Sequence, residues 1–432
     1  MRMNLRDWQK GTGCWLKKYF HLEDYPKTDP NTSNEDVEVK SVHNQPNDMM
    51  SSATAKTTRQ LVERIKARVF CCQGTGGGNP VTVFSSPSCL KPKTQQQLAM
   101  GCEWESVMVA RNDANSSDST TTLPEMAFYM PSGDQVSFCG HAAMGGAFAV
   151  APSTLLEWTF QTAQMQQTLN QQQEESSKIY KVSLPCRDSG DESTKNLATL
   201  HMDAEFTEQR VSHPPALHRL LREHLGLASS HLTSKNAQYA PTMVNSSVAR
   251  PKTLVYVNSL DALAHAKQPI VKKKIDQPSS SPSPRTSFSM ACGSIDDSTG
   301  IYLYTHRDNV TTSTSVALHA TSGSWECRQF PRSSGYAEDP ATGIAAAALA
   351  SSLYSRGLVL KEYNFYQGAY MGRPSLIQVV DLLLQEPYDD ADDKKGSTGN
   401  AIDDNHHPIL ASFGLRGRVE IDDRDWIEVD TQ

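Results

Sequence analysis

The chain alternates between short segments that are apolar at nearly every position and longer polar stretches with no period. Two segments stand apart because they carry no charge: Ala142-Ala143-Met144-Gly145-Gly146-Ala147-Phe148-Ala149-Val150, and Ile344 through Tyr354. A helix that is apolar on every face belongs inside a core, so both are expected as buried helices. Each is entered through a glycine turn bearing polar residues, Phe138-Cys139-Gly140-His141 before the first and Glu338-Asp339-Pro340-Ala341-Thr342-Gly343 before the second. A helix that begins inside the protein presents free N–H groups and a positive dipole end, a place to hold an anion. The plainer reading of the second turn is an ordinary helix start, with Asp339 as N-cap and Pro340 in the first helical position. Two segments of one design suggest two similar lobes facing each other.

Strand-like patterns surround these helices. Val69-Phe70, Val81-Thr82-Val83-Phe84, Ser106-Val107-Met108-Val109, Met126 to Met130, Lys181 to Leu184 and Thr253 to Val257 read as strands, and 94–102 and Pro214 to Leu227 as helices, the latter amphipathic and closed at Gly226. The pattern predicts an α+β protein. Residues 1–60 are polar and aperiodic and are expected as an extension with little packed structure. A lobe boundary near 207 divides the rest into 61–207 and 208–432. The Gln-rich stretch 161–173, the Ser/Pro/Lys-rich stretch about 267–287 and the acidic stretch about 385–407 read as surface insertions.

Composition narrows the function. With 432 residues and 38% apolar content the chain can build two cores, and a net charge of −7 argues against nucleic acid and anionic membrane as partners. No apolar run is long enough to span a bilayer. Nine cysteines without a C-x-x-C point to a reducing compartment and no structural zinc. The first 20 residues hold Arg2, Arg6, Lys10, Lys17 and Lys18 against Asp7 alone, faintly like a transit peptide, but no secretory apolar segment follows; a cytoplasmic location is expected.

Several residues could do chemistry. Gly74-Thr75-Gly76-Gly77-Gly78 has no Lys-Ser/Thr after it, and Asn79-Pro80 blocks helix entry, so it is no phosphate loop; no G-x-S-x-G elbow supports a serine hydrolase. If 103–109 is extended, Glu103, Glu105, Val107 and Val109 share a face, and a half-buried carboxylate would suit a general acid or base near neutral pH. The alternative, which the pattern alone favours, starts the strand at 106 and leaves both glutamates solvated. Cys139 and His141 sit where a thiol could ionise or an imidazole shuttle a proton, although each residue type is more often a core residue.

Taken in order, these pieces resemble the PhzF-like family of phenazine-biosynthesis-type isomerases, related in fold to diaminopimelate epimerase and proline racemase. The resemblance runs through Arg68-Val69-Phe70, Gly78-Asn79-Pro80, Glu105-Ser106-Val107-Met108-Val109, Phe128-Tyr129-Met130-Pro131, Cys139-Gly140-His141-Ala142, Arg328-Gln329-Phe330-Pro331, Glu338 to Gly343, Gln367-Gly368 and Met371-Gly372-Arg373-Pro374-Ser375. It implies two pseudo-symmetric lobes, each a rolled mixed β-sheet around a central apolar helix, with the active site between them. It also implies a cofactor-independent isomerase without a metal that moves a proton within a small carboxylate-bearing metabolite. Glu105 would be the acid/base, with His141 and Asp339 as catalytic partners. Gly140 and Gly343 would offer backbone N–H groups to the substrate carboxylate, Cys139 and Thr342 would line the site, and Asn79 would fix the closing loop. Relatives suggest a homodimer.

The epimerase and racemase relatives carry a cysteine at each helix start, whereas here the second is Asp339, which favours a one-base isomerase over an epimerase or racemase using Cys139. A catalytically silent ligand- or protein-binding member is the third reading. Ile344 stands where many relatives carry Ser, and Phe70 follows Val69 where the family has Asp.

Overall fold

The computed structural model describes residues 59–111, 123–163, 177–185, 191, 194–232, 243–269, 288, 291–292, 298–307, 321–332, 336–385 and 409–430, all within one compact unit spanning 56–432. Nearly all of the predicted 1–60 extension, and most of the three polar insertions, lie outside the described residues.

Among the described residues fifteen strands form one continuous sheet. In the N-terminal half these are β1 (Arg59–Val69), β2 (Asn79–Ser86), β3 (Ser106–Ala110), β4 (Glu125–Tyr129), β5 (Gln135–Val136), β6 (Glu157–Thr162), β7 (Ile179–Ser183) and β8 (Leu197–Arg210). The remainder are β9 (Met243–Ser247), β10 (Lys252–Tyr256), β11 (Gly300–His306), β12 (Ser322–Pro331), β13 (Glu362–Gln367), β14 (Ser375–Gln385) and β15 (Ile409–Asp430). Among the described residues five α-helices with defined bounds accompany them: α1 (Pro92–Met100), α2 (Gly140–Val150), α3 (Pro214–His224), α4 (Leu260–His265) and α5 (Gly343–Ser355).

The pairings close the sheet twice. β3 pairs with β4 and β15 with β8, so β1, β2, β3, β4, β6, β7, β8 and β15 form one ring and β8 to β15 form a second. The long strands β8 and β15 belong to both, pairing antiparallel from Ile409 opposite Phe206 to Arg418 opposite Leu197. β15 then runs on beside β1, as far as Asp430 opposite Arg59. The last strand of the chain thus completes the sheet that the first strand begins. Parallel and antiparallel pairings occur in both rings, as expected for a rolled mixed sheet.

Each ring is filled by one of the charge-free helices. Every residue of α2 from Gly140 to Ala149 is buried, and so is every residue of α5 from Gly343 to Leu353. Small side chains make this possible. A Cβ on Gly145 would lie 2.7 Å from Val81 Cγ1, and one on Gly146 would lie 2.9 Å from Met126 Cε, so the strands close on α2 at backbone distance. Both helices contribute to a single apolar core with the inward residues of the surrounding strands.

The outer faces are covered separately. On α3, Leu217, Leu220 and Leu221 pack with Val255, Ile301, Leu303 and Phe330 on the outside of β10 to β12, and α1 contributes Ala99 to a cluster on Phe84, Met108 and Tyr129. The turn after α3 uses Gly226 at φ +70°, a left-handed conformation suited to glycine. Among the described residues no helix is long and apolar enough to cross a membrane.

Two local expectations change. Helix α5 starts at Gly343 with Thr342 in the capping position, so Asp339 is not its N-cap and Pro340 is not its first residue. Asp339 instead pairs with Gln329 as an isolated bridge that extends the edge of the sheet. Strand β3 starts at Ser106, yet Glu105 is buried while Glu103 is exposed, so one of the two glutamates is drawn in although the strand is short.

Replacing Gly145 with Val should lower stability by roughly 1–3 kcal/mol through overpacking against Val81 and Val69. The measurement is a urea titration, where the midpoint falls at constant slope; an unchanged midpoint would show that α2 is not held this close to its strands.

Candidate active site

The starts of α2 and α5 meet at one point. A Cβ on Gly140 would come 3.6 Å from Leu415 Cδ1 on β15, and one on Gly343 would come 3.1 Å from the same atom. Two helix N-termini therefore converge on one shared leucine, each with first-turn N–H groups that lack intrahelical partners.

Polar side chains from both halves of the chain surround this point. Glu105, from the connection into β3, is 5% exposed, His141 is 8% exposed, and Glu105 Oε2 lies 3.9 Å from His141 Nε2. The opposite ring nitrogen, Nδ1, lies 3.4 Å from Cys139 Sγ and 3.5 Å from Asn79 Nδ2. Burial above all, and then the nearby charge of Glu105, push the Cys139 thiol up to about 12.

Asn79 ties the two halves together. Its Nδ2 donates to Asp339 Oδ1 at 2.9 Å and to the carbonyl of Ala341 at 2.7 Å. Asp339 also accepts from Thr342 Oγ1 at 2.6 Å and from the Ala341 N–H at 3.2 Å, so both of its oxygens are engaged in shaping the turn that delivers Gly343. Burial, and secondarily the charge of Glu105, raise the Asp339 carboxyl above the ordinary carboxylate range, against the lowering effect of the Thr342 bond.

The turn is fixed from behind by a buried ion pair. Arg328 on β12 donates through Nε to Glu338 Oε1 at 2.9 Å and through Nη2 to Glu338 Oε2 at 2.7 Å, while Nη1 reaches the carbonyls of Leu263 and Ala266. A bidentate pair with its remaining donor also satisfied is the arrangement in which a buried charge is tolerated.

All eight residues expected at the site, Asn79, Glu105, Cys139, Gly140, His141, Asp339, Thr342 and Gly343, fall in this one region. Others were not anticipated. Tyr336 donates its hydroxyl to Glu105 Oε1, and Oε2 is buried with no hydrogen bond among the described residues. Its ring lies 5.4 Å from that of Trp104, over which Arg373 stacks at 4.8 Å. Gln367 donates to the Asp339 carbonyl at 2.7 Å and to Thr342 Oγ1 at 3.2 Å. The Gln367-Gly368 pair stood out in the sequence, and Gly368, at φ +79° with the Arg373 and Pro340 carbonyls against it, holds the turn open for that amide. Tyr336 carried no signal. Among the described residues no cluster of His, Cys, Asp and Glu has metal-binding geometry.

Comparison with known proteins places this architecture. The chain superposes on the crystal structure of a PhzF-family phenazine biosynthesis protein from Bacillus anthracis with a TM-score of 0.57 at 13% identity, covering 85% of this chain and 99% of that one. Residues 296–403 match the family model described as phenazine biosynthesis-like protein. The chain is similar to the PhzF family. A predicted epimerase from Pseudomonas aeruginosa aligns with a TM-score of 0.52 at 16% identity, over 85% of this chain and 99% of its own. No curated protein sequence matches significantly. At such identities the structural likeness speaks for the fold, the diaminopimelate-epimerase-like pair of rolled sheets, and leaves the chemistry to the site itself.

Because the Asp339 carboxyl titrates higher in the folded than in the unfolded chain, its contribution to stability is present at low pH and is lost as pH rises through the folded value. Asp339→Asn should therefore gain stability relative to wild type as pH rises from about 4 to about 7. Urea titrations across that range test this; a difference independent of pH would place the carboxyl in an unperturbed setting.

Proposed function

We propose that this protein is a cofactor-independent isomerase that moves a proton within a small carboxylate-bearing metabolite, using Glu105 as the general acid/base. The observation that carries this reading is the Glu105 carboxylate itself: buried, held at Oε1 by Tyr336, and with Oε2 unpartnered. A carboxylate desolvated on one oxygen and fixed on the other is poised to take a proton from carbon and return it elsewhere on the same molecule.

The remaining residues take supporting roles in this scheme. The substrate carboxylate sits against the first N–H groups of α2 and α5, where dipoles and free donors favour negative charge, and the same donors stabilise the charge that develops when carbon loses its proton. His141, with Nε2 3.9 Å from Glu105 Oε2, donates to the delocalised anion or relays the proton. Asp339 serves through Asn79 and Thr342, holding the two helix starts in register. Ile344 lies in the first turn of α5 and presents an apolar surface to substrate where a hydroxyl would have offered a hydrogen bond.

Cys139 is poorly suited to be a racemase base. A thiol pushed up to about 12 supplies little thiolate near neutral pH, and the second helix start carries no cysteine. This supports one-base chemistry over the epimerase alternative. Convergence of Glu105, His141 and Asp339, joined through Asn79, favours catalysis over a silent binding surface. A cytoplasmic homodimer is part of the proposal and rests on the resemblance and the composition alone.

Incubation of candidate carboxylates in deuterium oxide tests the assignment. Wild type should incorporate deuterium, Glu105→Gln should be slower by about 10²-fold or more, and Cys139→Ser should stay within a few-fold of wild type. Equal incorporation by wild type and Glu105→Gln would remove Glu105 from the reaction, and loss confined to Cys139→Ser would favour the thiol.

A further inference from the structure

Glu105 is fixed from two directions. Its main chain belongs to the first ring, since β3 begins at the next residue and the Glu105 carbonyl accepts from the Thr82 N–H of β2 at 3.1 Å. Its side chain is held by Tyr336, which lies between β12 and α5 and donates its hydroxyl to Oε1. A residue from the second half of the chain thus grips a carboxylate anchored in the first.

Tyr336 is itself tied in place. Just after it, Glu338 forms the bidentate pair with Arg328, and the Asp339 N–H donates to the Gln329 carbonyl at 3.0 Å. The Tyr336 ring meets that of Trp104, the residue before Glu105, with centroids 5.4 Å apart and planes tilted by 45°. The Arg373 guanidinium lies 4.8 Å over the Trp104 ring. Tilted aromatic pairs at such distances are favourable beyond the area they bury, so the phenol packs on the residue next to its own acceptor.

The groups that face this carboxylate come from three places. His141 and Cys139 stand at the start of α2, Asp339 stands in the turn before α5, and Tyr336 precedes that turn. Among the described residues, the hydrogen bond to the Glu105 carboxylate comes from Tyr336. Burial of the phenol, followed by the charges of Glu105 and Asp339, raises it well above its ordinary value, so the hydroxyl keeps its proton near neutral pH.

A donor to a carboxylate does two things. It favours the charged form, against burial and like charge, which favour the neutral acid, and it decides which oxygen remains for chemistry. With Oε1 engaged, Oε2 is the oxygen that is buried without a hydrogen bond among the described residues, 3.9 Å from His141 Nε2.

We infer that Tyr336 is a positioning residue for Glu105: its hydroxyl holds Oε1, favours the ionised carboxylate and leaves Oε2 as the oxygen that takes the substrate proton. The inference rests on the reading above of Glu105 as the general acid/base. Oε2 takes the proton as the C–H electron pair passes into the delocalised substrate anion, then returns it to another carbon of that anion. Glu105 ends as it began, and Tyr336 keeps its proton throughout.

Two readouts test it, one of them independent of substrate. In protein labelled with carbon-13 at the glutamate carboxyls, the Glu105 resonance is assigned by its loss in Glu105→Gln. It should titrate about one pH unit higher in Tyr336→Phe than in wild type, as expected when a charged group loses a hydrogen bond. For a candidate carboxylate that wild type labels in deuterium oxide, Tyr336→Phe should lower kcat about tenfold or more and leave KM within about twofold. If Tyr336→Phe does not fold, a ring-fluorinated tyrosine at position 336 decides: its hydroxyl is a stronger donor on a ring of nearly the same shape, so Glu105 should titrate lower than in wild type. A Glu105 titration that moves as stated while wild type labels no candidate would retain the hold of Tyr336 on Glu105 and remove the isomerase reading. An unmoved Glu105 titration would overturn the inference. So would a raised KM at unchanged kcat, which would place Tyr336 on the substrate instead.

Discussion

Two helices without a single charge begin inside this protein, and the rest of the structure answers the electrostatic demand that this creates. A helix start in water has its free N–H groups solvated; a buried one must meet donors' needs with protein groups or with a ligand. Here both starts are brought against Leu415. Their side chains are small enough for strands to close around them, and the polar residues that would otherwise decorate the helix surface are concentrated in the turns that precede them. The sheet closes twice because two fully apolar cylinders must be wrapped, and β8 and β15 are shared because the two starts must face each other.

The site follows from that arrangement. Asn79 is buried and donates simultaneously to Asp339 and Ala341, so the geometry of one helix start is set by a residue on a strand of the other ring. Any movement of one half against the other would act on this amide and on the Tyr336 bond to Glu105. The thiol of Cys139, pushed up by burial, supplies little thiolate to compete with Glu105 for the proton of a substrate. The same low-dielectric setting that raises Asp339 and Cys139 makes the Oε2 of Glu105, without a hydrogen bond among the described residues, expensive to maintain without a ligand.

Much of this was legible in the sequence, for identifiable reasons. The two helices were evident because an unbroken run of Ala, Gly and Leu has no reading on a surface, and the strands around them because β-branched alternation is local. The convergence of Asn79, Glu105, His141 and Asp339 was accessible through the order of family-like pieces, and pattern alone left Glu105 open because its burial depends on Tyr336 and His141, far away in the chain. The N-cap expectation for Asp339 gave way because its side chain serves the turn, with Thr342 at the helix start. The closing strand β15 left little trace, since Arg, Asp and Glu interrupt its apolar positions where it lies beside β1.

A crystal structure with bound benzoate tests the central claim most directly. The account predicts both carboxylate oxygens on backbone N–H groups in the first turns of α2 and α5, with the ring facing Glu105 Oε2 and His141 Nε2. A benzoate bound elsewhere, or bound with its carboxylate turned away from the two helix starts, would contradict it.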